Sequence, residues 1–330
     1  MTKVRNVFIM FAAGLVLATM AWAEPDVYVA GFEETANAKI ACYWKNGVQT
    51  ALTRNGDAGA LAIAVSGSDI HVVGWEENNA CYWKNGVKTI LPGGRTGGNI
   101  YAQANAVTVS GSDVYVAGWV NKQSDSSLSC YWKNGVMIPL TDGKTHVDIT
   151  DIAVSENDVY VSGSESGVAC YWKNGIKTAL TNGRAYAGAK AIAVLGSDVY
   201  VAGLERNAAG NAACYWKNGV KIELTDGRQP AIAEAIVVSG RDVYVAGTEI
   251  FAGGGACYWK NGVKTALTDG RSSTSAMSIA VSGSNVCVAG YESNSDHIAI
   301  SAYWRNGVKN VLTSGKTYAY AYGIVFGGAK

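Results

Sequence analysis

Seven times the chain writes nearly the same word, Tyr43-Trp44-Lys45-Asn46-Gly47, repeated from Tyr82, Tyr131, Tyr171, Tyr215, Tyr258 and, with Arg305 in place of lysine, Tyr303. The intervals are 39, 49, 40, 44, 43 and 45 residues. One such unit cannot bury its apolar faces alone, so a period of this length predicts a repeat architecture. A second word, Asp26-Val27-Tyr28-Val29-Ala30-Gly31, recurs from Asp69, Asp113, Asp158, Asp198, Asp242 and Asn285. A third, Ala62-Ile63-Ala64-Val65-Ser66-Gly67-Ser68, has cognates through Val281.

Each word is a short β-branched or aromatic run bounded by Gly, Ser, Asn or Asp, the composition of a strand. The Asn-Gly pair between two such runs suits a type I′ hairpin, whose central residues both need positive φ. The unit therefore reads as four antiparallel strands, with no helical period in the mature chain. Four strands per unit of about 40–45 residues is the spacing of a propeller blade. The chain begins at a second strand and ends on an unpartnered first strand, Tyr322 to Phe326. That orphan is expected to complete the first blade and remove an open edge. The expected fold is all-β, a seven-bladed propeller with its first blade closed by the C-terminal strand.

Residues 1–23 read as a signal peptide: Lys3 and Arg5, an apolar run from Val7 to Met20, and Ala21-Trp22-Ala23 before Glu24. The propeller is assigned to residues 24–330 as one domain, secreted or periplasmic. Two of the 27 basic residues lie in the leader, which leaves 25 against 26 acidic. A net charge near zero argues against nucleic acid or an anionic membrane as partner, and a monomer is expected.

Seven cysteines in an exported chain invite a disulfide framework, but six of them hold one position in six units: Cys42, Cys81, Cys130, Cys170, Cys214 and Cys257, with Ala302 in the seventh. Packed sheets lie about 10 Å apart, and bridged Cα atoms need less than about 7 Å. The positions thus read as buried thiols, and Cys287 as another in place of a tyrosine. His71, His146 and His297 fall at different repeat positions, so neither a metal nor a cofactor is expected. Each tryptophan is expected to be structural, with the lysine two residues after Asn-Gly lying over its indole.

The turns Ser-Gly-Ser-Asp and Lys-Asn-Gly hardly vary and share one face of the disc. On the other face, the gap from the second-strand glycine to the third-strand tyrosine runs 12, 8, 13, 8, 12, 11 and 13 residues. Variable loops on a rigid scaffold commonly carry binding. Three features populate that face. Gly-x-Glu closes the second strand in six blades, giving Glu33, Glu76, Glu165, Glu205, Glu249 and Glu292, with Val120 in blade three. This acidic ring reads either as ion pairs with Arg95, Lys144, Arg184, Arg228, Arg271 and Lys316 or as a collar for a cation or basic ligand. The x residue is aromatic at Phe32, Trp75, Trp119 and Tyr291, a contiguous arc able to stack a sugar or take a peptide. The third feature is a position before the first strand that changes in every blade: Leu61, Asn105, Thr150, Lys190, Glu234, Met277 and Tyr322. It is placed at the rim of the central channel. The longest entry loop leads into blade three, where Arg95, Tyr101, Gln103, Asn105, Trp119 and Asn121 form the expected pocket.

The chain has no Gly-x-Ser-x-Gly, phosphate-binding glycine loop, HExxH or sialidase box. No catalytic residues are assigned, although six glutamates leave glycoside hydrolysis open. From residue 26 to 326 the words resemble those of exported bacterial tandem-repeat propellers, and more distantly kelch- and lectin-type propellers. The resemblance implies architecture and supplies no catalytic residue. The expectation is a non-catalytic propeller binding a glycan or protein through its variable face. A carbohydrate-active enzyme and a structural envelope scaffold are the alternatives.

Overall fold

The computed structural model describes residues 24–93, 101–122, 126–145, 147–251 and 254–327. The leader-like segment, Arg95 and His146 lie outside them. The described residues form seven sheets of four antiparallel strands. Blade two is typical, with strands Ala58–Ser66, Asp69–Glu76, Asn79–Lys84 and Val87–Ile90 from the axis outward. The last strand, Ala319–Phe326, pairs with Val27–Glu34 from Val27↔Phe326 to Glu33↔Ala319 and completes blade one. It also packs on the inner strands Thr274–Ser282 of blade seven and Ala58–Ser66 of blade two, so the circuit of inner strands closes.

The Asn-Gly turns are type I′: Asn46 has φ of 50° and Gly47 84°, and the other six pairs lie within a few degrees. The asparagine also accepts from the first amide of the second strand, as Asn46 Oδ1 does from Val27 N at 2.8 Å, and donates to Asp26 at 2.7 Å. Lys45 pairs with the same aspartate at 2.8 Å and lies 5.3 Å from the Tyr28 ring centre. Cation–π contacts thus form between this lysine and the second-strand tyrosine. The expected partner, the lysine after Asn-Gly over the indole, is corrected: Lys88, Lys264 and Lys309 reach past the tryptophan to a glutamate.

Seven apolar clusters lie between successive blades. In one, Tyr28, Ala30 and Ala41 of blade one meet Ala60, Ile63, Val72, Cys81 and Trp83 of blade two. Small residues on one sheet receive large ones from the next. All seven tryptophans of the repeat are buried, and all seven cysteines are buried and unpaired. Burial pushes the Cys214 thiol up to about 12.

Each inner strand begins about four residues earlier than its sequence word and carries one extra residue. Register slips between Ala60 and Ala62, Ala104 and Ala106, Ile149 and Asp151, Ala189 and Ala191, Ala233 and Ala235, and Ala276 and Ser278. In blade one, Ala30 pairs with Gly323 but Gly31 with Ala321, which leaves Tyr322 out of step. Such a bulge re-aims one side chain and bends the strand. It also brings a carbonyl against the second strand: a Cβ on Gly203 would lie 1.9 Å from Gly188 O, and one on Gly74 1.9 Å from Gly59 O. The glycine of Gly-x-Glu is required by that approach.

Candidate functional site

The seven bulged residues are those that differ from blade to blade. Leu61, Asn105, Thr150, Lys190, Glu234, Met277 and Tyr322 all line an axial cavity of about 220 Å³. The placement at the channel follows from the bulge, because the extra residue leaves the ladder and turns inward. Asn105, Thr150, Lys190 and Glu234 belong to four successive blades and form a polar arc. Met277, Tyr322 and Leu61, from the other three, form an apolar one. Hydrogen bonds step round the polar arc. Gln103 donates to Asn105 at 2.9 Å, Asn105 donates to Ile149 O at 2.6 Å, and Thr150 donates to Ala189 O at 3.2 Å. Lys190 and Glu234 follow as a pair 4.0 Å apart.

Asp151 joins this wall at a position that is Ala62, Ala106, Ala191, Ala235, Ser278 or Gly323 in the other blades. Its carboxylate accepts from Ile192 N at 2.9 Å and Ile152 N at 2.8 Å. It retains some surface on the channel but lies deep in the disc, and desolvation raises its pKa to about 6 against the pull of those two amides. Burial likewise raises the Glu234 carboxyl, with Lys190 acting in the opposite direction.

A larger cleft of about 520 Å³ opens between blades six and seven. Thr248, Ser272, Ser273, Thr274 and Ser275 line it, together with Phe251, Tyr291, Glu234 and Glu249. Glu234 thus faces both cavities. Thr248 accepts from Ala276 N at 3.2 Å, and Ser275 donates to the Tyr291 hydroxyl at 3.2 Å.

Of the expected aromatic arc, the structure joins Phe32 and Tyr291 through the last strand. Tyr320 lies 4.9 Å edge-on to Tyr291 and 5.2 Å from Phe32, and Tyr322 is 5.9 Å from Phe32. Burial raises the Tyr322 pKa to about 12, with Tyr291 and Tyr320 adding to the shift. Trp75 lies half-buried against Gly59 beside Phe32. Tyr101, Gln103, Asn105, Trp119 and Asn121 share the inner hairpin of blade three, where Trp119 pairs with Gln103 and Asn121 N donates to Tyr101 O at 2.7 Å. Neither cavity is lined by Tyr101, Gln103, Trp119 or Asn121. Asn105 and Tyr322 line the channel and Tyr291 the cleft.

The acidic ring has partners other than those expected. Neighbours along a strand point to opposite faces, so each glutamate turns away from the x residue and crosses the blade to the outer strand. Glu76 meets Lys88 at 2.6 Å, Glu205 meets Lys221 at 3.1 Å and Glu292 meets Lys309 at 2.6 Å; Glu165 pairs with Lys177 and Glu249 with Lys264. In blade one Gln49 replaces lysine and donates to Glu33 at 3.1 Å. Three of the basic residues after the fourth strand pair within their own turns, Lys144 with Asp142, Arg228 with Asp226 and Arg271 with Asp269, each at 3.4 Å.

Sequence reasoning missed Asp151 and the hydroxyl-rich segment from Ser272 to Ser275. Aligning the repeats exposes the first, one carboxylate among alanines. The second crosses from the entry loop into strand Thr274–Ser282; there Thr274 stands where the other blades have alanine or valine, whereas Ser272 and Ser273 in the loop carry no such signal. Among the described residues no group of three His, Cys, Asp or Glu stands together.

No protein-family model and no curated protein matches the sequence. Solved structures do match in fold. A puromycin-hydrolyzing peptidase from Mycobacterium tuberculosis superposes with a TM-score of 0.55 at 9% identity, over 88% of this chain and 53% of that one. A puromycin hydrolase mutant gives 0.60 at 9% identity, over 88% and 52%. A prolyl endopeptidase gives 0.50 at 11%, over 91% and 50%. The chain spans about half the length of each, and at these identities the likeness is one of fold.

Proposed function

We propose that the chain is an exported, monomeric, non-catalytic propeller that binds a glycan on its variable face, in the cleft between blades six and seven. The observation that carries this reading is the cleft's chemistry. Five Ser and Thr residues and two aromatic rings converge on about 520 Å³, a volume within the usual range for small-ligand sites. Sugars present hydroxyls for such groups and flat C–H faces for rings. Tyr320, edge-on to Tyr291, extends the partly exposed aromatic surface toward blade one, with the buried Phe32 ring behind it. The carboxylates that suggested an acid–base pair are mostly tied to lysines, which favours binding over hydrolysis.

A glycan array followed by titration calorimetry tests the reading. The expected result is binding without product release, weakened at least tenfold by Tyr291→Ala. Trp75→Ala and Trp119→Ala, which lie outside the cleft, are expected to change affinity by less than threefold. Release of a shortened glycan would favour the carbohydrate-active alternative. Absence of binding to any glycan, or affinity unmoved by Tyr291→Ala, would overturn the proposal.

A further inference from the structure

The axial channel is a second site, and its argument is independent of the glycan reading. A ligand on the axis of seven identical blades would meet seven identical surroundings and could have no preferred orientation. Here the one position that each bulge turns inward is occupied by seven different residues, while the flanking positions stay close to alanine. The wall has two halves. Met277, Tyr322 and Leu61 offer an apolar side opposite Asn105, Thr150, Lys190 and Glu234.

Within the polar half most groups are already engaged. Asn105 is held by Gln103 and Ile149 O, Thr150 by Ser162 and Ala189 O, and Asp151 by two backbone amides. Lys190 and Glu234 have only each other among the described residues, at 4.0 Å, longer than a hydrogen bond. An ammonium carries three donors and a carboxylate about four acceptor positions, so both keep most of their capacity. Nor does stability explain the pair, since ion pairs of this length and partial exposure contribute little. A cation and an anion side by side, facing an apolar wall across a cavity of about 220 Å³, match a small molecule of the same pattern.

We propose that the channel binds a small amphipathic zwitterion of free amino-acid size, its ammonium on Glu234, its carboxylate on Lys190 and its apolar group toward Met277, Tyr322 and Leu61. The recognition is charge-paired and requires both ends of the ligand.

The test uses the full mature chain with leucine as probe, leucinamide lacking the carboxylate and 4-methylpentanoic acid lacking the ammonium. Leucine is expected to bind with a 1:1 stoichiometry and to shift the Met277 methyl resonance. Each single-charge analogue should bind at least tenfold more weakly. Lys190→Met should abolish the preference for leucine over leucinamide, and Glu234→Gln the preference for leucine over the acid. Lys190 does not line the cleft between blades six and seven, so Lys190→Met is expected to leave glycan titration unchanged, which separates the two proposals. If a variant misfolds by circular dichroism, the methyl shift and analogue series on the wild type decide alone. Equal binding of the three probes, or saturation by leucine with the Met277 methyl unmoved, overturns the proposal; so does failure of leucine to bind at millimolar concentration.

Discussion

Asp151 carries the clearest consequence at the scale of one residue. Its pKa in the folded chain is about 6, held up by desolvation, against an ordinary value of 3.8. Between those values the native state holds a proton that the unfolded chain has released. Stability therefore falls as pH rises from about 4 to about 6, by about 2 kcal/mol. Ser278 stands at the equivalent position and accepts the matching amide, Ile324 N, at 3.3 Å without a charge. Asp151→Ser is thus expected to flatten this limb in urea titrations run across pH 4–7 and to raise stability at pH 7. Six aspartates on the opposite face act in the other direction. Lysine and asparagine partners hold Asp26, Asp69, Asp113, Asp158, Asp198 and Asp242 below the ordinary range. Their contribution is present above pH 4 and lost as pH falls through their depressed values. Asp151 was legible in the sequence as a departure from alanine, whereas its depth was not, because depth depends on the bulge.

Within a blade, the second and fourth strands are linked by a pair that the chain itself records. Where Val120 replaces the glutamate, Met137 replaces the lysine. Both approach Gly93, whose Cβ would lie 2.8 Å from Met137 Sδ and 3.0 Å from Val120 Cγ2, within one apolar cluster. A charge installed at one position alone would be buried without a partner. Val120→Glu is expected to destabilise by about 3 kcal/mol in chemical denaturation, and adding Met137→Lys to recover at least about 1 kcal/mol of it. Additive single effects would mean that the two positions are uncoupled. The strands and Asn-Gly turns were readable from composition, since each depends on residues near in sequence. The glutamate's true partner was not, because a contact across the third strand depends on register, and basic residues elsewhere in the repeat fitted the charge equally well.

For the molecule as a whole, closure rests on Ala319–Phe326, whose pairing with Val27–Glu34 joins residues some 300 apart. Ending the chain before Ala319 would strip blade one of its inner strand and expose the edge of Val27–Glu34. Such a truncation is expected to lose cooperative thermal unfolding and to oligomerise in light scattering, while the full chain unfolds in one transition. The unpaired terminal strand made this closure predictable from sequence. The pocket's position was not, since loop length drew attention to blade three while the cleft formed from short hydroxyl-bearing segments at blades six and seven.

Because a bulge frees one side chain from the ladder, each blade contributes a letter to the axis without disturbing its contacts with its neighbours. The identity of the channel is therefore written in the cyclic order of units that are otherwise nearly interchangeable. Cutting and rejoining the ring at another loop preserves that order; swapping two blades would build the same disc around a different lumen.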